Sequence, residues 1–190
     1  MTSRTEVSLT VPDAAAMRAL GESLAQLLRA GDLVILSGGL GAGKTTLTQG
    51  IGAGLGVRGP VTSPTFVIAR VHPPAASADR AANLAAPRPP LVHADAYRLG
   101  SALELDDLDL DTDTAASVTV VEWGEGLAEG LAADRLEIVI TPETASGSGG
   151  AGPADLGDAA ADVPRTVRIT AIGERWEGVQ MPLANLVDRL

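Results

Sequence analysis

The chain contains no cysteine, and this absence excludes three kinds of chemistry at once. Disulfide bonds, thiolate zinc sites and cysteine nucleophiles all need the missing side chain. Aromatic residues are also scarce, with two tryptophans, one tyrosine and one phenylalanine in 190 residues. Because apolar residues nevertheless make up 45% of the chain, the hydrophobic core must be built mainly from Ala, Val, Leu and Ile.

Long hydrophobic runs and basic clusters are missing as well. No apolar run approaches the roughly 18–20 residues of a membrane-spanning helix, and the first residues do not resemble a signal peptide. We therefore expect a soluble cytoplasmic protein with no membrane contact. The formal net charge is −10 and no arginine-rich cluster occurs. Since proteins that bind nucleic acid directly usually carry a basic patch, we expect no strong nucleic-acid binding.

Lysine is almost absent, and the single lysine belongs to a motif. Lys44 is the only lysine among 14 basic residues. It completes a G-x-x-x-x-G-K-[ST] pattern that begins at Gly38. The apolar run 33–36 precedes the pattern, and a helix-compatible segment from 45 to about 55 follows it. This strand–loop–helix context is that of a P-loop.

The P-loop predicts a site for a nucleoside triphosphate and Mg²⁺. Its glycines let backbone N–H groups turn toward phosphate oxygens, and the following helix adds the positive end of its dipole. Lys44 would reach the β- and γ-phosphates, while the hydroxyl of Thr45 would bind Mg²⁺. The residues predicted to bind the nucleotide here are Gly38, Gly39, Leu40, Gly41, Ala42, Gly43, Lys44, Thr45 and Thr46.

Strand-like and helix-like segments alternate along the rest of the chain. The predicted strands are 4–11, 33–36, 67–71, 91–95, 117–123, 136–140 and 165–172. The predicted helices are 13–31 with Asp13 as N-cap, 45–55, a short acidic helix capped by Ser101, 125–133 and 183–190.

The alternation indicates the fold class. Uniformly apolar segments such as 33–36 are typical of parallel strands covered on both faces, whereas 165–172 alternates in polarity and is interpreted as an edge strand. We therefore predict an α/β protein of the P-loop NTPase type. It would be a three-layer sandwich with a mainly parallel central sheet and antiparallel edge strands.

One domain is expected over residues 1–190, because this length fits a single hydrophobic core. Two segments rich in Ala, Pro, Gly and Ser interrupt the pattern, at 73–90 and 144–163. Such a composition cannot bury much apolar surface, so we expect flexible surface loops there.

Two acidic residues each end an apolar strand. Asp95 and Glu122 would lie at the edge where a doubly wound sheet gathers its ligands. Phosphoryl hydrolysis needs carboxylates that hold Mg²⁺ and orient the attacking water. We expect both acids to be catalytic and to form the metal site together with Thr45. Which acid binds the metal directly is open, and a solvated acid at a strand end is the alternative for either.

The remaining polar candidates are weaker. Thr65 lies one helix after the P-loop, where GTPases place a switch that senses the γ-phosphate, although a plain turn explains its short Ser-Pro-Thr run better. His72 and His93 are expected to pack rather than to catalyse. Arg58 and Arg98 could contact phosphate, but a surface role fits them equally well.

Three of the four aromatic residues stand directly beside these candidates, and only Trp176 lies elsewhere. They are Phe66, Tyr97 and Trp123. In a chain that nearly lacks aromatics, this placement suggests that they shape a nucleotide site or a partner surface.

Four motifs together, in this order and spacing, are far more specific than the P-loop alone. They are the P-loop 38–46, Ser63-Pro-Thr-Phe66, His93-Ala-Asp-Ala-Tyr-Arg-Leu99 and Val121-Glu-Trp123. In these motifs the chain resembles the bacterial TsaE family, the small P-loop ATPases of tRNA threonylcarbamoyladenosine biosynthesis. Gly39 departs from the family pattern, which commonly has aspartate at that position.

The resemblance implies an ATPase that uses ATP and Mg²⁺. Together with the TsaD–TsaB complex it would be required for the threonylcarbamoyl group on the adenosine next to the anticodon of tRNAs that read ANN codons. It further implies that Thr65 belongs to a switch-like loop and that Trp123 lies beside the bound nucleotide. Asp95 and Glu122 would be the essential acids.

Two other functions stay open on the residues alone. A small-molecule P-loop kinase fits the chain length, but the sequence has no arginine-rich lid segment for a second substrate. A nucleotide-gated binding module with negligible turnover would use the same P-loop.

Overall fold

The computed structural model describes residues 3–64, 67–75, 88–99, 101, 104, 115–143 and 163–179. These residues form a mixed α/β structure around a single seven-stranded sheet. The strands are β1 (Arg4–Val11), β2 (Leu33–Ser37), β3 (Ala69–His72), β4 (Leu91–Asp95), β5 (Val118–Glu122), β6 (Arg135–Pro142) and β7 (Arg165–Ile172). The helices whose residues are all described are α1 (Ala14–Ala25), α2 (Lys44–Leu55) and the 3-10 helices Glu129–Leu131 and Glu174–Trp176.

The sheet has the order β1-β7-β6-β2-β5-β4-β3. Its four central strands β6, β2, β5 and β4 are parallel to one another, and antiparallel pairings join the outer strands to them. Every residue of β2, β4 and β5 is buried, as expected for parallel strands covered on both faces. The predicted parallel centre with antiparallel edges is therefore confirmed.

The prediction that 165–172 forms an edge strand is wrong. Strand β7 pairs with β1 on one side and with β6 on the other, and the edges of the sheet are β1 and β3. Alternating polarity indicates an antiparallel strand that has one face on the core and the other face more exposed. Such strands occur inside a sheet as well as at its edge.

Both α-helices are present where the pattern predicts them, although the first is shorter. Asp13 caps α1, since its side chain accepts a hydrogen bond from the backbone N–H of Ala16 at 2.8 Å. The helix ends at Ala25 rather than near Gly31. Leu28 is still buried, so its apolar character reflects packing from a turn rather than a further helical turn.

Two other boundaries differ from the predictions. The segment 125–133 contains only a 3-10 helix of three residues, because three glycines within 124–130 disfavour a longer helix. Strand β3 begins at Ala69 rather than at Val67. The preceding Ile68 has a φ of 68°, which takes the backbone out of strand geometry.

The two faces of the sheet are covered differently. Both α-helices contribute to one core cluster with alternate residues of the sheet, and turn residues between 124 and 132 pack on the other face. A helical third layer is therefore not seen in the described part of the chain. The predicted helix at 183–190 and most of both predicted loops fall outside it. Of the predicted helix after Ser101, only Ser101 and Glu104 are described. Glu104 is helical, and its backbone N–H donates to the Ser101 hydroxyl at 3.4 Å, as expected for an N-cap. Across the described ranges, each helix is too short or too polar to cross a membrane.

Glycines bring α1 and α2 into close contact. A Cβ atom at Gly50 would lie 2.2 Å from the carbonyl oxygen of Arg18, and one at Gly21 would lie 2.4 Å from that of Leu47. Such distances exclude a larger side chain without a shift of the backbone. The helix that follows the P-loop is thus held directly against its neighbour.

Candidate active site

The predicted P-loop and both predicted acids meet at one edge of the sheet. Glu122 is paired in register with Leu36 of β2 on one side and with Asp95 of β4 on the other. The loop between β2 and α2 leaves the sheet at the same edge. All three features therefore lie at the carboxyl ends of parallel strands, where open α/β sheets bind their ligands.

A cavity of about 290 Å³ opens between the loop and the strand ends. It is lined by Leu40, Gly41, Gly43, Lys44, Thr45, Thr46, Ser63, Asp95, Glu122 and Trp123. The predicted residues Gly38, Gly39 and Ala42 belong to the same loop without lining the cavity. Thr65 lies outside the described residues. The structure thus brings most of the predicted site residues around one space.

Two glycines give the loop its path. Gly38 has a φ of 145°, and a Cβ there would lie 2.4 Å from the carbonyl oxygen of Ile140. Gly43 has a φ of 110° and is the N-cap of α2. Residues with a side chain rarely adopt either backbone conformation, so both positions require glycine. The loop therefore reaches the start of α2 with backbone N–H groups of the first turn unpaired within the helix.

Lys44 is the first residue of α2, and its side chain reaches back to the loop. Its ammonium group donates hydrogen bonds to the carbonyl oxygens of Gly38 at 2.8 Å and Gly39 at 2.9 Å. It also lies 3.7 Å from the centroid of the Trp123 ring, a cation–π distance. Burial lowers the pKa of Lys44, and the charges of Glu122 and Asp95 oppose that shift.

Trp123 has an unusual backbone conformation. Its φ is 60°, and its N–H donates to the carbonyl oxygen of Leu36 at 2.8 Å. The ring contacts that of Tyr97, with 5.1 Å between centroids. A bulky residue in this region costs about 1–3 kcal/mol and persists only where the surroundings fix it. The strain lies directly after Glu122, beside the cavity.

Glu122 is held by side chains from two other elements. The Thr45 hydroxyl lies 2.9 Å from Oε1 and 3.1 Å from Oε2. His93 Nε2 lies 2.8 Å from Oε1. The carboxylate is 3% exposed, and the histidine is fully buried. These contacts fix the acid beside the first helical turn after the loop.

Asp95 is also bonded on both oxygens. Its Oδ1 accepts from the backbone N–H of Tyr97 at 3.0 Å, and its Oδ2 accepts from the Ser63 hydroxyl at 3.3 Å. Ser63 comes from the segment after α2. Asp95 therefore joins the strand end to that segment across the mouth of the cavity.

The donor set fits a magnesium ion that is shared with phosphate. The hydroxyl of Thr45 and the carboxylates of Asp95 and Glu122 are hard oxygen ligands, which Mg²⁺ prefers. Among the described residues, no group of three or more His, Cys, Asp or Glu side chains is placed to hold a metal by itself. Mg²⁺ typically takes one or two carboxylates and completes its shell with phosphate and water.

Three contacts at the site were not predicted from the sequence, although Ser63, Tyr97 and His93 all lie in its motifs. Ser63 bonds to Asp95, the Tyr97 ring contacts Trp123, and His93 bonds to Glu122 rather than only packing. The spacing of two between His93 and Asp95 places both on one face of β4, and this was an available signal. Arg58 and Arg98 are exposed and do not line the cavity.

Comparison with known proteins shows which family the chain belongs to. The model of the family "Threonylcarbamoyl adenosine biosynthesis protein TsaE" matches residues 11–148. The chain belongs to the TsaE family. The match spans the P-loop, both acids and the central strands.

Individual relatives give the same assignment. A TsaE protein of Streptomyces coelicolor is 56% identical over 161 residues, covering 84% of this chain and 93% of that protein. The TsaE protein of Bacillus subtilis is 34% identical over 161 residues, covering 84% and 82% respectively. The crystal structure of Bacillus subtilis YdiB superposes with a TM-score of 0.63 at 26% identity, covering 98% of this chain and 97% of that one.

Proposed function

We propose that this chain is a Mg²⁺-dependent P-loop ATPase that acts in tRNA threonylcarbamoyladenosine biosynthesis. Its family membership supports the role in that biosynthesis. The observation that carries the ATPase is the contact between the P-loop and a strand-end acid, since Thr45 bonds to Glu122 at 2.9 Å. A P-loop NTPase fold would bring phosphate-binding and hydrolytic groups together in this way.

The loop supplies the binding of the triphosphate. Backbone N–H groups between Gly38 and Thr45, together with the N-terminus of α2, attract phosphate oxygens. Lys44 adds a charge that can exchange its carbonyl contacts for phosphate contacts, which are stronger because both partners are charged. Trp123 limits the space in which the ammonium group moves, since its ring lies 3.7 Å away.

Side chains at the strand ends would carry out the hydrolysis of the bound triphosphate. Thr45, Asp95 and Glu122 would hold Mg²⁺, which neutralises developing charge on the phosphates when bound. A carboxylate that accepts a hydrogen bond from the attacking water aligns it with the γ-phosphorus. Both acids are almost fully buried, so the positions of their oxygens are fixed before the water arrives.

The TsaD–TsaB complex is the proposed partner. Large apolar side chains are exposed beside the cavity, with Leu40 90% and Tyr97 63% exposed. Aromatic and other apolar groups at the mouth of a site suit contact with a protein. The net charge of −10 disfavours direct binding of the tRNA.

A reconstituted reaction tests this function. Phosphate release and threonylcarbamoyladenosine formation are measured with ATP, Mg²⁺, tRNA and TsaD–TsaB, with and without this chain. We expect both products to depend on the chain and to be lost with Lys44→Ala. Phosphate transfer to a small acceptor would instead identify a kinase. ATP-dependent partner binding without hydrolysis would identify a nucleotide-gated module.

A further inference from the structure

A buried histidine holds the carboxylate of Glu122 from the neighbouring strand. His93 lies opposite Val120 in the β4–β5 register, two pairs before the Asp95–Glu122 pair. Its ring is fully buried, and Nε2 lies 2.8 Å from Oε1 of Glu122, which is 3% exposed. The contact therefore lies in the sheet behind the cavity, away from solvent.

The bond defines which ring nitrogen carries a proton. An ionised carboxylate only accepts hydrogen bonds, so Nε2 must be protonated. The other nitrogen, Nδ1, is buried and has no hydrogen-bond partner in the described structure. With the proton on Nε2, a neutral ring leaves an unpaired acceptor at Nδ1. The opposite tautomer would bury an unpaired donor and also lose the bond to Glu122.

We propose that His93 is a positioning residue that fixes Glu122 for hydrolysis, an inference that rests on the proposed ATPase function. Oε1 is engaged by both His93 and Thr45, whereas Oε2 is engaged by Thr45 alone. Oε2 therefore keeps more capacity to accept from a metal-bound or attacking water. A glutamate side chain has several rotatable bonds, and the histidine restricts the arrangement in which its charge is presented.

His72 shows that a buried histidine in this sheet does not need such a contact. It is 4% exposed, lies on the adjacent strand β3, and its ring centroid is 6.4 Å from that of His93. Its Nε2 has no hydrogen-bond partner in the described structure. His72 therefore offers a matched control, with the same side chain and similar burial but without the bond to Glu122.

Kinetics of three variants test the role of His93. His93→Phe fills similar space without a donor, His93→Gln restores an N–H donor near Nε2, and His72→Phe is the control. For His93→Phe we expect kcat for phosphate release to fall by about 10–100-fold, as for other groups that orient metal ligands. Its calorimetric Kd for ATP should stay within about threefold, because only transition-state stabilisation is lost.

The pattern among these variants decides the outcome. His93→Gln should recover most of the lost kcat, and His72→Phe should keep the wild-type value. A wild-type kcat in His93→Phe, or an equal loss in His93→Gln, would overturn the inference while leaving the ATPase intact. Absence of hydrolysis in the wild-type protein would instead overturn the proposed function.

The tautomer of His93 gives a test that needs neither activity nor a folded His93 variant. The chain has two histidines, so a ¹⁵N-histidine NMR spectrum contains two rings, and His72→Phe assigns them. We expect a proton on Nε2 of His93, and a shift of that nitrogen in Glu122→Gln. A His93 ring protonated only on Nδ1 would refute the bond on which the inference depends.

Discussion

At the scale of residues, the proposed function assigns phosphate binding to one group and action on water to others. Lys44 contacts the loop carbonyls and the Trp123 ring, whereas the carboxylates of Asp95 and Glu122 lie across the cavity at the strand ends. Loss of the first should therefore affect binding, and loss of the others should affect turnover. The two effects can be measured separately.

Lys44→Ala should abolish measurable ATP binding. Each charge-assisted hydrogen bond to phosphate contributes about 1.5–3 kcal/mol, and an ammonium group can donate more than one. Calorimetric titration with ATP and Mg²⁺ measures the loss. Arg58→Ala removes the same charge from an exposed residue outside the cavity and should bind ATP like the wild type. Similar weakening in both variants would mean that net charge, rather than the loop, determines affinity.

Glu122→Gln and Asp95→Asn should keep the Kd for ATP within a few-fold and lower turnover by about 10²–10⁴-fold, the usual range for loss of a group that acts on a proton or water. The amides preserve side-chain volume, so the fold should be retained. Calorimetry beside a phosphate-release assay separates the two effects. Hydrolysis at the wild-type rate in both variants would remove these acids from the mechanism.

The residues that gather at the candidate site could be predicted where a local sequence pattern marks them. The P-loop is a contiguous motif, and each acid is the last residue of an apolar strand. The bond from His93 to Glu122 was not predictable from such signals, because it depends on the register between β4 and β5. No local pattern specifies that register. The contact of Ser63 with Asp95 likewise joins segments 32 positions apart.

At the scale of elements, the pairing of α1 with α2 supports the loop. Hydrophobic periodicity predicts both helices, but it does not predict that they pack backbone to backbone through glycines. The placement of β7 inside the sheet was missed for a related reason. Alternating polarity reports which face of a strand is buried, not how many strands lie beside it.

Gly50→Ala should destabilise the fold although alanine favours helices. The new Cβ would lie 2.2 Å from the Arg18 carbonyl oxygen. The resulting backbone shift costs about 1–3 kcal/mol. This cost exceeds the gain in helix propensity, which is at most about 1 kcal/mol. Urea unfolding measures the difference. Gly130→Ala is the control, because no atom lies within 4 Å of its added Cβ. Equal or higher stability in Gly50→Ala would contradict the close packing.

At the scale of the whole molecule, one titration should link pH to stability. Burial, His93 and Arg70 together lower the pKa of His72 below its ordinary value of 6.5. The unfolded chain therefore binds a proton at a higher pH than the folded one. Neutral His72 therefore contributes fully to the free energy of unfolding above pH 6.5. This contribution is lost as the pH falls toward the pKa of His72 in the folded protein.

The free energy of unfolding should accordingly fall between pH 7 and pH 5 less steeply in His72→Phe than in the wild type, since the variant lacks this group. Urea titrations across that range give both slopes. Because all other titrating groups are retained, the difference between the two proteins reports on His72 together with its coupling to His93. Parallel slopes would show that His72 titrates alike in both states.

The central claim is that Glu122 and the P-loop form one hydrolytic site. Single-turnover phosphate release from ATP, measured for wild type and Glu122→Gln with Mg²⁺ and the TsaD–TsaB complex, tests it most directly. The account predicts release by the wild type and a rate lower by about 10²-fold or more in the variant, with ATP bound equally in both. Equal release rates in the two proteins would contradict it.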